Sequence, residues 1–295
     1  MSPPPVMMFG RSGQVARAVA ERAPAFGHAV TALCRDEADL TDAEALRQAI
    51  NAAPPGAVIL NAAAYTAVDQ AESEPETAKA VNADAPGIMA RAAHKRGLRF
   101  IHLSTDYVFD GEKAAPYAET DPTAPRSVYG ATKKAGEDAV LDAHPGAVVV
   151  RTAWVYSPFG KNFLKTMLRV GAEREALRIV DDQIGAPTSA HDIADGLFAL
   201  IAAPHASGLF HLTGAGRASW ADFAEAIFER QAAIWGRRPR VERITTAQYP
   251  TPATRPANSQ LDCSRLKTLT GYEAPPWRDS LAAVLDRLNA PADAL

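Results

Sequence analysis

Tyr129 and Lys133 stand four residues apart in the segment Tyr-Gly-Ala-Thr-Lys. On a helix that spacing puts both side chains on one face, one turn apart. A phenol has a pKa of roughly 10 and is a poor acid near neutrality. A nearby ammonium stabilises the phenolate and lowers that value. The pair can therefore give a proton to an alkoxide or take one from an alcohol. Tyr and Lys are common on helices, so the spacing alone specifies little. Its weight depends on what the rest of the chain places beside it.

The elements that must position the pair alternate in type. Val6 to Phe9 is a short apolar run ending at Gly10, and Val15 to Ala23 has helical composition. Strands are expected at His28 to Leu33, Ala57 to Leu60, Arg99 to Leu103 and Ala147 to Val150. Helices are expected at Ala43 to Ala53, at Pro75 to Arg96 with a bend near Pro86, and at Ser127 to Ala143. Such alternation implies βαβ units and a parallel sheet. After about Arg151 the pattern loosens. Helices are expected at Asn162 to Glu175, Ser189 to Ala203, Trp220 to Trp235 and Asp279 to Leu288. Extended segments are expected at Leu177 to Val180 and Leu209 to Leu212, and an ordered loop at Ala247 to Asn258. The fold class is α/β: a Rossmann-type doubly wound parallel sheet with a smaller, mixed α/β substrate-binding lobe. Residues 1–155 are assigned to the dinucleotide-binding domain, with later segments returning to it, and 156–295 mainly to the lobe.

Bulk properties exclude several classes. The chain has 295 residues, 47% hydrophobic and 22% charged, with a net charge of −3. That is an ordinary globular composition without the basic stripe of a nucleic-acid binder. Arg237-Arg238-Pro239-Arg240, the dense basic run, reads as a solvated turn after a helix. Cys34 and Cys263 are the only two cysteines, too far apart in sequence to suggest a disulfide framework. Met-Ser-Pro-Pro-Pro does not read as a signal peptide, and no apolar stretch reaches membrane-spanning length. A cytoplasmic protein with neither nucleic-acid nor membrane partner is expected.

Gly10-Arg-Ser-Gly13-Gln14-Val15-Ala16 follows the first strand and opens the first helix. Glycines there permit a tight turn and close approach of backbone to a pyrophosphate, while the helix start offers N–H groups. A plain strand-to-helix turn would need no ligand. At the end of the second strand, no acid stands at Cys34 to hold a ribose 2′-hydroxyl, and Arg35 follows. An arginine there suits a 2′-phosphate and favours NADPH over NADH, unless Arg35 is only a solvated loop residue. Asp39 and Leu40 are candidates to approach the adenine, and Asp42 or Thr41 to cap the next helix. Small residues after strand three, Ala62, Ala63 and Ala64, would let a flat cofactor lie against backbone. Ser104-Thr105-Asp106 ends strand four, placing a hydroxyl beside the phenol. No histidine pair has metal-ligand spacing, and no metal site is expected.

Together, Gly-x-x-Gly-x-x-Ala, Asn61-Ala-Ala-Ala, Ser104-Thr-Asp-Tyr-Val-Phe109 and Tyr-x-x-x-Lys resemble the extended short-chain dehydrogenases/reductases. Within them the chain is most similar to the dTDP-4-dehydrorhamnose reductases. The similarity runs from Met8 to about Leu269. It includes Tyr65–Asp69, Ala71–Pro75, Arg151–Tyr156, Asn162–Leu168, Asp182–Thr188 and Tyr249–Asn258. Gly-x-x-Gly and Tyr-x-x-x-Lys are widely shared; the Thr105–Phe109 and Asp182–Thr188 segments are more specific. Related 4,6-dehydratases carry a glutamate after Thr-Asp; Tyr107 here points away from elimination and toward reduction.

The resemblance implies NADPH, with NADH possible, and dTDP-4-dehydro-β-L-rhamnose reduced to dTDP-L-rhamnose for polysaccharide precursors. It implies Tyr129 as proton donor with Lys133 and Thr105. Gly10, Gly13, Gln14, Val15, Arg35, Asp39, Leu40, Ala63, Ala64, Tyr65 and Thr66 would hold the dinucleotide. Thr105, Asp106 and Trp154 would meet the sugar; Gln183, Arg255 and Asn258 would meet the dTDP part. Trp154 could equally be core and Arg255 a loop residue. Some relatives bridge a dimer through magnesium on glutamates; Ala18 and His191 stand at those positions here. A monomer or homodimer is expected. Two alternatives stay open: a reductase making another dTDP-6-deoxyhexose, and a non-catalytic NADP-binding regulatory subunit like that of methionine adenosyltransferase.

Overall fold

A computed structural model of the chain describes residues 3–290. Met1-Ser2 and residues 291–295, the outer ends of the two expected domains, lie outside the described residues. The first half alternates β1 (Val6–Phe9), α1 (Gln14–Arg22), β2 (Val30–Leu33), α2 (Ala43–Asn51) and β3 (Val58–Asn61). It continues through α3 (Val68–Ala71), α4 (Pro75–Lys79), α5 (Ala85–Lys95), β4 (Arg99–Thr105), α6 (Val128–Ala143) and β5 (Val148–Thr152). The second half holds β6 (Val155–Tyr156), α7 (Phe163–Glu173), β7 (Ala176–Val180), β8 (Ile184–Gly185) and β9 (Thr188–Ser189). It then runs through α8 (Ala190–Ala202), β10 (Gly208–His211), β11 (Ala218–Ser219), α9 (Trp220–Trp235), β12 (Arg240–Ile244), α10 (Ser264–Thr270) and α11 (Trp277–Asn289).

The main sheet has the order β2-β1-β3-β4-β5-β10, and every pairing in it is parallel. Its strands are apolar on both faces because helices cover both. Alternate side chains sort to opposite sides. Val6, Met8, Leu60 and Val150 pack with α1 and α8, through Val19, Ile193 and Leu197. Met7, Phe9, Ile59 and Val149 pack with α2, α5 and α6, through Leu46, Met89 and Val140. A separate core joins α7, β7, α9 and α11 through Leu164, Ile179, Phe223 and Leu281. Because β2 and β3 flank β1 on opposite sides, the strand order reverses there. The crevice at the carboxyl ends of β1 and β3 is where open α/β sheets take ligands.

The expected Pro75–Arg96 helix is divided by a π-helical turn at Ala80–Asp84 between α4 and α5. Pro86 has no N–H, so the Asn82 carbonyl has no partner four residues on. That carbonyl faces Gly136 of α6, where an added Cβ would lie 2.0 Å from it. The strand β12 was not anticipated, since Arg240-Val-Glu-Arg-Ile reads as a charged surface segment. It pairs in parallel with β7. Arg240 opens that strand, and Arg237 donates to the Arg174 and Gly171 carbonyls at 2.7 and 2.8 Å. The basic run therefore does more than solvate a turn: one guanidinium closes the carboxyl end of α7.

Gly136→Ala is expected to lower unfolding stability by about 1–3 kcal/mol, because backbone carbonyl and helix must separate to admit the methyl group. Denaturant unfolding measures it; an unchanged midpoint would show that α6 can shift without cost.

Candidate active site

The helix α6 begins at a cap. Ser127 Oγ accepts the Gly130 N–H at 3.1 Å, and Glu72 Oε1 accepts the Val128 N–H at 2.8 Å. Tyr129, Lys133 and Glu137 then recur every fourth residue, on one face toward β4. Gly130 permits this approach, since a Cβ there would lie 2.2 Å from the Tyr107 carbonyl oxygen.

The Tyr129 ring meets the Tyr107 ring edge-on, with centroids 5.4 Å apart. The side chain is half-buried, and desolvation pushes the phenol up to about 12, opposed by the neighbouring Thr105 hydroxyl and reinforced by the Asp106 charge. The Lys133 ammonium group lies deeper. Its Nζ donates to the Leu103 carbonyl at 2.6 Å and sits 3.3 Å from His102 Nε2. Burial pushes Lys133 down to about 8, opposed by Glu137. The expectation that Lys133 lowers the Tyr129 pKa is thus corrected: desolvation dominates, and the lysine points at strand β4. The phenol is held protonated, which is the form that donates.

Thr105 Oγ1 donates to Asp106 Oδ1 at 2.9 Å and accepts the Tyr107 N–H at 3.2 Å. Burial raises the Asp106 carboxyl to about 6, although hydroxyls of Ser259 and Thr105 stabilise its charged form. Hydroxyl, phenol and carboxyl therefore converge at the end of β4.

At the nucleotide end, Gly10 has φ +105°, and an added Cβ would press on Ala62 and Ala63 backbone atoms at 3.3 Å. Gly13 caps α1 with open space where a Cβ would be. The Gln14 side chain is committed elsewhere: its Oε1 accepts Ser157 Oγ at 2.7 Å and Asn162 Nδ2 at 2.8 Å. Its backbone, with that of Val15, is what the helix start presents. Arg35 is exposed. Leu40 packs against the α2-side core. Asp39 Oδ1 accepts both the N–H and hydroxyl of Thr41 at 2.8 Å, while Asp42 caps α2. Ala63 donates its N–H to Asn61 Oδ1 at 3.1 Å. Tyr65 donates its N–H to Asn82 Oδ1 at 2.9 Å and its hydroxyl to Glu74 at 2.8 Å. Ala64 lies beside it, half-buried, and Thr66 is exposed.

The distal residues are more engaged than expected. Trp154 has φ +50°, and its indole stacks on Trp220 with centroids 3.5 Å apart. Gly185 lies against the same indole, 2.5 Å from a virtual Cβ. Gln183 bridges Trp220 and Thr246, each at 3.0 Å. Arg255 forms a two-point pair with Asp69, at 2.9 and 2.7 Å. Asn258 donates to the Lys113 and Ala115 carbonyls at 2.6 and 3.0 Å. Arg255 and Asn258 thus pin the Tyr249–Asn258 loop, and their amides and guanidinium face protein groups. Sequence reasoning missed Arg11, which donates to the Ala32 carbonyl and pairs with Glu37 at the end of β2. It also missed Asn82 and His102, whose only sequence signal was a polar residue inside an apolar run. Among the described residues, no group of three His, Cys, Asp or Glu is placed to hold a metal ion.

This topology and this Tyr-x-x-x-Lys helix are those of a short-chain dehydrogenase/reductase. Residues 5–290 match the family described as RmlD substrate binding domain. Over 285 residues the chain is 46% identical to the dTDP-4-dehydrorhamnose reductase of Burkholderia thailandensis, covering 92% of this chain and 95% of that one. The crystal structure of a dTDP-4-dehydrorhamnose reductase from Clostridium acetobutylicum superposes with a TM-score of 0.92 at 36% identity, over 97% of this chain and all of that chain (100%). The Bacillus anthracis dTDP-4-dehydrorhamnose reductase in complex with NADP gives 0.90 at 32% identity, covering 96% and 99%. The chain belongs to the dTDP-4-dehydrorhamnose reductase family.

The raised Asp106 carboxyl has a consequence for stability. Its folded pKa, about 6, exceeds its ordinary value of 3.8. Between those values the folded chain binds the proton that the unfolded chain has lost, so stability falls as pH rises through the window. Asp106→Asn removes the buried charge. It is expected to be more stable than the parent at pH 8 by on the order of 1–3 kcal/mol. The gain should disappear near pH 4, and denaturant unfolding at both pH values measures it.

Proposed function

We propose that this chain reduces the C4 keto group of dTDP-4-dehydro-β-L-rhamnose, giving dTDP-L-rhamnose, with NADPH as reductant. The observation that carries this is the half-buried Tyr129 phenol, held protonated close to Thr105 and Asp106 at the strand end beside the sheet's reversal point. A dinucleotide suits that crevice: a Cβ at Gly10 would crowd the Ala62 and Ala63 backbone, and the space at Gly13 is open. Gly13, Gln14 and Val15 would offer backbone N–H groups to the pyrophosphate. Asp39, Leu40, Ala63, Ala64, Tyr65 and Thr66 would border the rest, and Arg35, with Arg11 near it, would meet a 2′-phosphate. When bound, the reduced nicotinamide supplies the hydride to C4.

The chain's own residues do the remainder. Thr105 hydrogen-bonds the carbonyl oxygen, and Asp106 holds a sugar hydroxyl. Tyr129 gives its proton to the alkoxide oxygen as it forms. Lys133 orients the nicotinamide ribose. The Trp154–Trp220 stack walls the sugar subsite, with Gln183, Arg255 and Asn258 ordering the segments that receive the dTDP part. In this reading residues 1–155 and the returning α8 and β10 hold the dinucleotide, and the rest of 156–295 holds the sugar nucleotide. Cytoplasmic location belongs to the same proposal; no helix among the described residues is long and apolar enough to cross a membrane.

Purified protein is expected to oxidise NADPH when given the 4-keto sugar nucleotide, and failure with both NADPH and NADH would sink the reading. Tyr129→Phe should lose turnover about 10²–10⁴-fold while still binding NADPH, as followed by fluorescence titration. Arg35→Ala should weaken NADPH binding about tenfold, the loss of one charge-assisted hydrogen bond, and leave NADH binding unchanged. Equal losses for both would remove Arg35 from cofactor choice.

A further inference from the structure

In Rossmann-type folds an acid near the end of the second strand is what accepts an adenosine ribose 2′-hydroxyl. Here β2 ends at Leu33, whose carbonyl accepts the Gly10 N–H at 3.0 Å and ties this end to the glycine turn after β1. Arg11, next along that turn, lays its guanidinium back across β2. Its Nε and Nη2 donate to the Ala32 carbonyl at 3.0 and 2.7 Å. Beyond Leu33 the backbone turns at once. The Glu37 and Ala38 N–H groups both donate to the Cys34 carbonyl, at 3.1 and 3.0 Å. That turn carries the Glu37 carboxylate back to the strand end. Its Oε2 accepts the Cys34 N–H at 2.8 Å and pairs with Arg11 Nη2. Cys34 itself is no acid, yet the fold sets one on its N–H from three residues on. Both charged side chains stay half-exposed, so a ligand can reach them.

The two groups make opposite demands on a dinucleotide. An ionised carboxylate only accepts hydrogen bonds, and a ribose 2′-hydroxyl can donate one to it. A 2′-phosphate carries a charge of about −1.5 to −2 near neutrality, and the same carboxylate repels it. Arg11 attracts that phosphate, but Glu37 already matches its charge. We infer that Glu37 is a specificity-determining residue for the cofactor: it offers the acceptor a 2′-hydroxyl needs, opposes a 2′-phosphate and occupies Arg11, and so limits the preference for NADPH over NADH. The inference rests on the proposed placement of a dinucleotide in this crevice.

Other charges at this end do not supply the same effect. Asp39 accepts the N–H and hydroxyl of Thr41 at 2.8 Å, within its own turn, and the exposed Arg35 favours its charge. Asp36 acts on Arg11 through space, more weakly than Glu37 does. The hydrogen bond from Arg11, helped by the Cys34 N–H, holds the Glu37 carboxyl down at about 2, so it is ionised throughout the neutral range. Among the described residues Glu37 is thus the acid that joins the glycine turn to the end of β2.

The test is fluorescence titration of the full chain with NADPH and with NADH, without sugar nucleotide. Glu37→Gln keeps an oxygen for the Cys34 N–H and removes the charge. It is expected to raise the ratio of the NADH to the NADPH dissociation constant about tenfold, the worth of one charge-assisted hydrogen bond. Most of the change should come as tighter NADPH binding, and it should shrink at high salt. An unchanged ratio, or equal shifts for both cofactors, would overturn the inference. Arg11→Ala in the Glu37→Gln background should cancel the NADPH gain, and a gain that survives would equally overturn it. The parent chain gives a check that needs no folded variant. Adenosine 2′,5′-bisphosphate should displace NADH from it less than about tenfold better than AMP does; a larger advantage would overturn the inference. Binding of neither cofactor would refute the dinucleotide placement and this inference with it. Cofactor binding without turnover of the keto sugar would refute the functional reading alone and leave the ratio result standing.

Discussion

Glu137 and Arg151 form a fully buried, two-point ion pair between α6 and the sheet. A buried pair is not a large net stabiliser, since desolvation offsets the attraction, but removing either partner costs about 3–5 kcal/mol. It therefore acts as a register pin. Arg151 also lies over the Phe109 ring at 4.9 Å and 3.5 Å from His211 of β10. Through these contacts one guanidinium joins the Tyr-Lys helix, the loop after β4 and the edge strand contributed by the second half. If α6 moved along its axis, Tyr129 and Lys133 would leave Thr105 and Leu103 together.

Close backbone packing makes that pin effective. Gly130 and Gly136 bring α6 against the Tyr107 and Asn82 carbonyls. The π turn before Pro86 supplies the second of these, and Asn82 also holds the Tyr65 backbone and Thr132. One buried amide thus links the segment after β3, where a cofactor would lie, to the helix that carries Tyr129 and Lys133. On the other side of the site Trp154 takes a left-handed φ that costs about 1–3 kcal/mol in a non-glycine residue. Stacking on Trp220 and the close approach of Gly185 hold it there. Such strain, fixed by its surroundings, gives the wall proposed for a sugar subsite a definite shape.

Much of this was legible in the amino-acid order. Apolar runs alternating with helical segments specify a parallel sheet, because strands covered on both faces have no polar side to show. Gly10 and Gly13 mark the turn at the sheet reversal, and the i, i+4 spacing of Tyr129 and Lys133 puts both on the face of α6 toward β4. Other features left no such trace. β12 is a charged, partly exposed strand whose pairing depends on β7, sixty-odd positions earlier, and no local pattern encodes that partner. Arg255 was expected to meet the dTDP part or to be a loop residue, and its pairing with Asp69, far away in sequence, left no local trace. Arg11 drew no reading from the sequence, yet it stands with Glu37 at the end of β2.

The sequence by itself determined which groups are available and on which face of a helix or end of a strand they stand, because backbone periodicity is local. Tertiary structure alone decided their protonation and their partners. Tyr129 and Lys133 were expected to share a charge across one helical turn. Desolvation instead holds the phenol up and the amine down, and His102 and Leu103 draw the lysine toward the sheet. The physical reason is that a pKa depends on how much water the fold removes and on which dipoles replace it, and neither quantity is a property of spacing along the chain.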